Sequence, residues 1–142
     1  MSAITTSSDG ENLFCSTMDE TLLHFSLLEE EKKLVQTTEK ENIFVMQMAQ
    51  VEEQEFLFTV SDGNILKQWT FDSPKLALFR DWGPVEGPGS SIESLAYSQV
   101  HHSLFTTFEG VITQWDAKTE KSIRKIEMGA GSVMCMVVDP KG

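Results

Sequence analysis

Three histidines, two cysteines and two acidic runs hold most of the chemical capacity of this 142-residue chain. An imidazole can serve as a general base or a metal ligand, a thiolate can attack or hold zinc, and clustered carboxylates can bind calcium. Each use needs particular spacings. His24, His101 and His102 stand at no metal-ligand spacing from one another or from Cys15 and Cys135. No nucleophile, base and orienting group share a recognised catalytic signature. His24 falls in a strand-like stretch and reads as structural, whereas His101-His102 reads as an exposed turn. Glu29-Glu30-Glu31 and Glu52-Glu53-Gln54-Glu55 lack the alternating ligands and turn glycine of a calcium loop, and read as solvated charge. The segment "DWGPVEGPGS" at 81–90 has glycines but no strand–loop–helix context, so it is not a phosphate cradle. The sequence predicts no catalytic residue, no cofactor, no metal and no enzyme activity.

Composition narrows the partners. The net charge of −11 disfavours nucleic acid, whose phosphates attract Lys and Arg. No apolar run approaches the roughly 18 residues of a membrane span. The opening "MSAITTSSDG" lacks the basic and apolar regions of a secretory signal. Cys15 and Cys135 both lie in apolar runs and read as buried, reduced thiols, which gives an expectation of a cytoplasmic location. Charge is uneven: residues 1–56 hold 12 acids and 3 bases, and residues 57–142 hold 10 acids and 8 bases.

One phrase occurs twice, "LFTVSDGNILKQW" at 57–69 and "LFTTFEGVITQW" at 104–115, with a fainter copy "LFCSTMDETLLHF" at 13–25. Each reads as a hairpin of two short aromatic and β-branched strands. Asp62-Gly63 is the stronger signal for a tight primed turn, and Glu109-Gly110 the weaker one. Alternation places Ile65, Lys67 and Trp69 on one face, and Val111, Thr113 and Trp115 on another. Apolar strands flank each hairpin: "NIFVMQMAQ" and "KLALFRDW" around the second, "SIESLAYSQ" and "KSIRKIEM" around the third, "SAITTS" and "KKLVQTT" around the first. The chain is therefore predicted to be all-β, with four-stranded antiparallel units at about 2–38, 42–82 and 91–128. A fourth unit begins at 132–142 with the strand "SVMCMVVD". A stacked repeat of this kind buries each small sheet against its neighbours, and radial stacking gives a propeller.

The phrases "SDGNILKQW" and "FEGVITQWD" resemble the WD-repeat β-propellers, whose third strand ends on Trp-Asp. Trp115-Asp116 matches in full, Trp69-Thr70 in part, and Phe25-Ser26 holds the same slot in the first unit. The resemblance implies a serine or threonine bonded to the tryptophan, so Thr59 and Thr106 are expected to pair with Trp69 and Trp115, and Asp62 to fix its turn. The family's histidine is absent ahead of each first strand. Trp69 and Trp115 are expected to anchor one sheet on the next.

Three units are too few to close a ring, so the sequence is expected to be part of a longer propeller, with open edges prone to self-association. In the resembling family, the face formed by the loops between units and the turns between second and third strands receives proteins or peptides. By position it would carry Asp19, Glu20, Asp62, Trp82, Glu86 and Glu109, with Trp82 as an exposed anchor. The expected function is a non-catalytic protein–protein interaction scaffold, with basic partners favoured by the carboxylates. Two alternatives stand beside it: a purely structural propeller portion of a multidomain protein, and an enzyme acting at the propeller axis. The innermost strands offer Gln47 and Ser94 there, but no histidine and few acids.

Overall fold

The computed structural model describes residues 3–28, 33–38, 41–71, 76–85 and 91–129, together with 131, 133, 136–139 and 141. Strands β1 (Ile4–Thr6), β2 (Asn12–Ser16), β3 (Leu22–Ser26) and β4 (Lys33–Thr38) form the first sheet in chain order. The second sheet is β5 (Ile43–Val51), β6 (Gln54–Ser61), β7 (Ile65–Thr70) and β8 (Ala77–Pro84). The third is β9 (Ser94–Ser98), β10 (Ser103–Phe108), β11 (Val111–Asp116) and β12 (Ser122–Glu127). Every pairing is antiparallel. Each unit read from the sequence is thus one meander, a blade with both large faces left to cover.

Register shows that the blades are copies. Trp69 lies opposite Leu57, Trp115 opposite Leu104, and Phe25 opposite Leu13. The outermost pairing of each blade slips in register at one equivalent step: His24/Phe25, Gln68/Trp69 and Gln114/Trp115. Such a bulge sharpens the twist of the strand just before the large ring.

Because side chains alternate, each blade has two unlike faces. One carries the large ring: Leu57, Thr59, Lys67 and Trp69 in the second blade, Leu104, Thr106, Thr113 and Trp115 in the third. The other carries Phe14, Leu22 and His24 in the first blade, Phe58, Leu66 and Gln68 in the second, and Phe105, Ile112 and Gln114 in the third. The two cores form where unlike faces meet. Phe14 and Leu22 pack with Leu57 and Trp69 between the first two blades. Phe58, Val60 and Leu66 pack with Leu95, Leu104 and the half-buried Trp115 between the second and third. β6 is buried on both faces from Phe56 to Ser61, while β12 is exposed throughout. The middle blade therefore has both sides covered.

The turns depart from expectation. Glu109-Gly110 makes the tighter turn, two residues between paired Phe108 and Val111, with φ of 45° and 75°. Asp62-Gly63-Asn64 is a three-residue turn between Ser61 and Ile65, and its left-handed residues are Gly63 and Asn64. Gly110 is also the more closely packed of the two turn glycines. A Cβ there would lie 2.6 Å from the Gly131 oxygen and 2.8 Å from that of Gly129. The expected strand at 132–139 falls partly outside the described residues, and Val133 and Met136–Asp139 carry no strand pairing. They run beside β9 and β10: the Thr107 hydroxyl donates to the Val133 carbonyl at 3.1 Å, and the Met136 N–H to Ser94 Oγ at 3.0 Å.

Candidate interaction face

The expected threonine–tryptophan bonds are present. The Trp69 indole N–H donates to Thr59 Oγ1 at 2.9 Å, and that of Trp115 to Thr106 Oγ1 at 2.9 Å. Both threonines are fully buried, and each hydroxyl satisfies an indole N–H, that of Trp69 buried and that of Trp115 partly so. The first blade solves the same position otherwise. Cys15 occupies the register of Thr59 and Thr106, across from Leu23 and two residues after Leu13. Phe25 has no N–H to satisfy, and a thiol suffices beside it. Desolvation pushes the Cys15 thiol above its ordinary value, although the side chain is only half-buried on this outer blade rather than buried as the sequence suggested. Asp116 closes the next turn by accepting the N–H groups of Lys118 and Thr119, each at 2.8 Å. These two bonds, Thr119 first, hold its carboxyl below the usual range.

The hairpin tips between second and third strands lie on one edge of the arc, linked to the loops between blades. The Glu41 N–H donates to the Glu20 carbonyl at 2.9 Å, and Asn42 Nδ2 donates to Asp62 at 3.0 Å. The Val85 N–H reaches the Asn64 carbonyl at 3.2 Å, and the Ile92 N–H reaches Asn64 Oδ1 at 2.9 Å. The Met128 N–H donates to the Gly110 carbonyl at 2.8 Å. Asp19, Glu20, Asp62 and Glu109 are all exposed on these tips. Glu20 and Glu109 hold left-handed φ of 64° and 45°, a conformation that costs a residue with a side chain about 1 kcal/mol or more. Lys67 on this edge is ion-paired with Glu41.

Trp82 is half-buried on the outermost strand β8. Its N–H donates to Gln68 Oε1 at 3.3 Å, and its ring stands edge-on to Phe58 at 6.0 Å. Its packing closes the outer end of the core between the second and third blades. Glu86 and Cys135 lie outside the described residues, as do Glu29, Glu30 and Glu31.

His24 is buried and stacks on Phe14 with ring centroids 4.6 Å apart. Its Nε2 bonds Asn12 Oδ1 at 2.8 Å, and burial lowers its proton affinity. This is the structural role read from the sequence. His101 and His102 are exposed in the β9–β10 turn. Among the described residues no three metal-binding side chains cluster.

Two concavities lie among the described residues. One, of about 320 Å³, lies between the innermost strands and takes in Thr6, Met48, Gln50, Tyr97, Glu55 and Asp139. Burial, with Glu52 nearby, raises the Tyr97 phenol. Gln47 and Ser94 are engaged with backbone, Gln47 donating to the Met48 carbonyl and Ser94 accepting from Met136. Glu55 accepts the Ser8 N–H at 2.9 Å, so the axial carboxylate is already part of the framework. The other concavity is a groove of about 600 Å³ on the opposite edge from the hairpin tips, between the second and third blades. Phe79 lies half-exposed in it against Phe56, and Lys118 pairs with Glu52 across it. Sequence reasoning missed this groove because its walls come from two blades. The one local signal was an aromatic residue at an outward position of a fourth strand.

No protein-family model matches the chain, and neither does any curated protein. Solved structures do. The β-propeller domain of Cps50 (Swd1) from Myceliophteria thermophila superposes at a TM-score of 0.76 and 14% identity, over 99% of this chain and 45% of that one. Sqt1 of Saccharomyces cerevisiae gives 0.77 at 15% identity, over 98% and 41%. The periplasmic gluconolactonase of Pseudomonas aeruginosa gives 0.69 at 15% identity, over 92% and 40%. The chain spans less than half the length of each of these neighbours. What they share with it at such identities is the fold, and the chain is an arc of three blades of a β-propeller.

Proposed function

We propose that the chain is a non-catalytic scaffold whose carboxylate-bearing hairpin tips receive a basic protein segment. One observation carries this reading: three successive blades each project an exposed acidic tip from the same edge. Asp19 and Glu20 come from the first, Asp62 from the second and Glu109 from the third. Carboxylates aligned along one edge steer and orient a cationic partner, and their effect falls with ionic strength. Trp82 borders this edge as a half-buried ring with its N–H already satisfied, so the carboxylates supply the recognition.

The gluconolactonase neighbour motivates the enzymatic alternative, and the axial carboxylates of Glu55 and Asp139 are where it would act. The scaffold reading is preferred because Glu55 is already held by a backbone N–H. The test is titration of a Lys/Arg-rich peptide by fluorescence anisotropy at low and high salt. The triple substitution Asp19→Lys, Asp62→Lys, Glu109→Lys is expected to weaken binding at least ~10-fold, with wild-type affinity falling as salt rises. Unchanged affinity in the triple variant overturns the reading. If Phe79→Ala abolishes binding instead, the groove on the opposite edge is the site.

A further inference from the structure

The groove beside Phe79 holds a hydrogen-bond donor that the third blade, at the equivalent place, uses up. Gln68 and Gln114 precede the two tryptophans, and each faces an arginine across the outermost pairing, Arg80 and Arg124. In the third blade the amide is engaged at both ends. Gln114 Nε2 donates to Ser103 Oγ at 2.8 Å, and its Oε1 accepts from Arg124 at 2.7 Å. In the second blade both partners are changed. Leu57 lies opposite Trp69 as Leu104 lies opposite Trp115, so Phe56 stands where Ser103 does. Arg80 turns away across the groove, giving Nη1 to the Lys118 carbonyl at 3.0 Å and pairing with Glu120 at 3.0 Å. Gln68 Oε1 accepts from Trp82, and its Nε2 donates to none of the described residues. Gln68 is 2% exposed and lines the groove, so an acceptor entering there would satisfy a buried amide.

Around that donor the groove is apolar on one wall and charged at its rim. Phe79 is 51% exposed, its ring 4.9 Å from that of Phe56, and Val51 and Ala117 continue the apolar lining. An exposed ring held by a second ring is a ready seat for an apolar side chain. The rim charges are unequal. Arg80 is neutralised by Glu120 and Lys118 by Glu52, whereas Glu53 has no ion-pair partner among the described residues. An anionic guest would compete with carboxylates already in place, and a cationic one meets a carboxylate that is free. We propose that this groove is a second docking site, on the opposite edge from the acidic tips, for an extended protein segment. The segment seats an apolar side chain on Phe79, gives a main-chain carbonyl to Gln68 Nε2 and sets the following Lys or Arg at Glu53. An extended chain offers all three, since side chains and carbonyls succeed one another along it. Both walls belong to blades that meet within the chain, and the site stands independently of the tips.

Nitrogen-edited NMR of the full chain tests this, with two acetylated and amidated peptides as probes, Gly-Gly-Leu-Arg-Gly-Gly and Gly-Gly-Leu-Glu-Gly-Gly. The Leu-Arg peptide is expected to shift the Gln68 side-chain amide signals and the backbone signals of 51–54, 79–80 and 117–118. It is expected to bind at least ~10-fold more tightly than the Leu-Glu peptide. Phe79→Ala is expected to abolish the shifts with unchanged far-ultraviolet circular dichroism. Glu53→Lys is expected to reverse the preference between the two peptides. Glu53 is exposed on a turn, so that reversal reads the site even where Phe79→Ala loosens the blade. The triple substitution Asp19→Lys, Asp62→Lys, Glu109→Lys is expected to leave this binding unchanged, which separates the groove from the tips. Absence of any shift at Gln68 with millimolar Leu-Arg peptide overturns the proposal. So do shifts confined to the hairpin tips, and so does equal binding of the two peptides.

Discussion

The bond between Trp69 and Thr59 can be isolated by a double-mutant cycle, because the structure fixes what each substitution leaves behind. Thr59 is 1% exposed and Trp69 7%, so neither group can turn to water once its partner is gone. Thr59→Val keeps the shape but leaves the indole N–H unpaired in the core, at a cost of about 1–3 kcal/mol. Trp69→Phe loses the same bond, worth about 1 kcal/mol, and part of a ring that packs against Leu57 and Phe14. Its total cost is about 2–3 kcal/mol. In the double variant the bond is lost once rather than twice, and no donor is stranded. The two single costs should therefore exceed the double by about 1–2 kcal/mol. The first blade is a natural precedent, since Cys15 and Phe25 hold these positions together. Urea denaturation of the four proteins measures the coupling, with equal m-values as the check on comparability. Additivity to within about 0.3 kcal/mol would refute the claim that the buried bond, rather than ring area, sets the pairing of threonine with tryptophan.

Other predictions follow from single sites. Trp115→Ala should cost about 3 kcal/mol, near the lower end for a large aromatic because Trp115 is half-buried, and urea melts should show Trp69→Ala costing more. Gly110→Ala should destabilise more than Gly63→Ala, since both hold positive φ but only at Gly110 does a Cβ meet backbone oxygens closer than 3.0 Å. Thermal melts give the order. His24 is held neutral by burial, its folded value lying below 6.5. The unfolded chain therefore takes up the proton first as pH falls, so stability should decline from about pH 6.5 downward until the lowered folded value is reached. His24→Gln, the residue type at the equivalent positions Gln68 and Gln114, should flatten that decline in urea melts at pH 7 and pH 5.5. Asp116, held below 3.8 by two N–H donors, should titrate later than an ordinary aspartate as pH falls, by carboxyl NMR.

The blades were legible because their strands alternate and their rings recur: the phrase from Leu57 to Trp69 repeats from Leu104 to Trp115, and both hydrogen-bond as the resemblance implies. The first blade was legible through the fainter copy at 13–25, where Phe25 holds the ring slot. The repeated phrase sets Leu13-Phe14-Cys15 beside Leu57-Phe58-Thr59 and Leu104-Phe105-Thr106, and the strand register shows that Cys15 does hold the threonine position. Turn chemistry was misjudged at Glu109-Gly110. Intrinsic preference ranks Asp-Gly above Glu-Gly, but tertiary packing also acts on the second turn, where the Gly129 and Gly131 carbonyl oxygens approach Gly110. The groove at Phe79 was invisible because Val51, Phe56 and Ala117 reach it from blades that are distant in sequence.

The slot preceding the ring shows what the fold demands of each blade and what it leaves free. It is occupied by His24, Gln68 and Gln114, all buried and all polar. A polar group there must find a partner, and each blade finds a different one. His24 bonds Asn12 on β2, Gln68 accepts from Trp82 on β8, and Gln114 donates to Ser103 on β10 at 2.8 Å while accepting from Arg124 on β12 at 2.7 Å. The requirement is satisfaction rather than identity, so motif residues can change without loss of the blade when their partners change with them. The same logic assigns Trp82. Its indole N–H answers the demand of Gln68 and its ring that of Phe58, so the framework already uses the side chain that looked most like a partner anchor. The acidic tips carry few such framework obligations: the Asp62 carboxylate meets Asn42, that of Asp19 meets Thr17, and those of Glu20 and Glu109 are exposed to solvent. On the proposed scaffold reading, recognition falls to those carboxylates, since the fold itself does not dictate function.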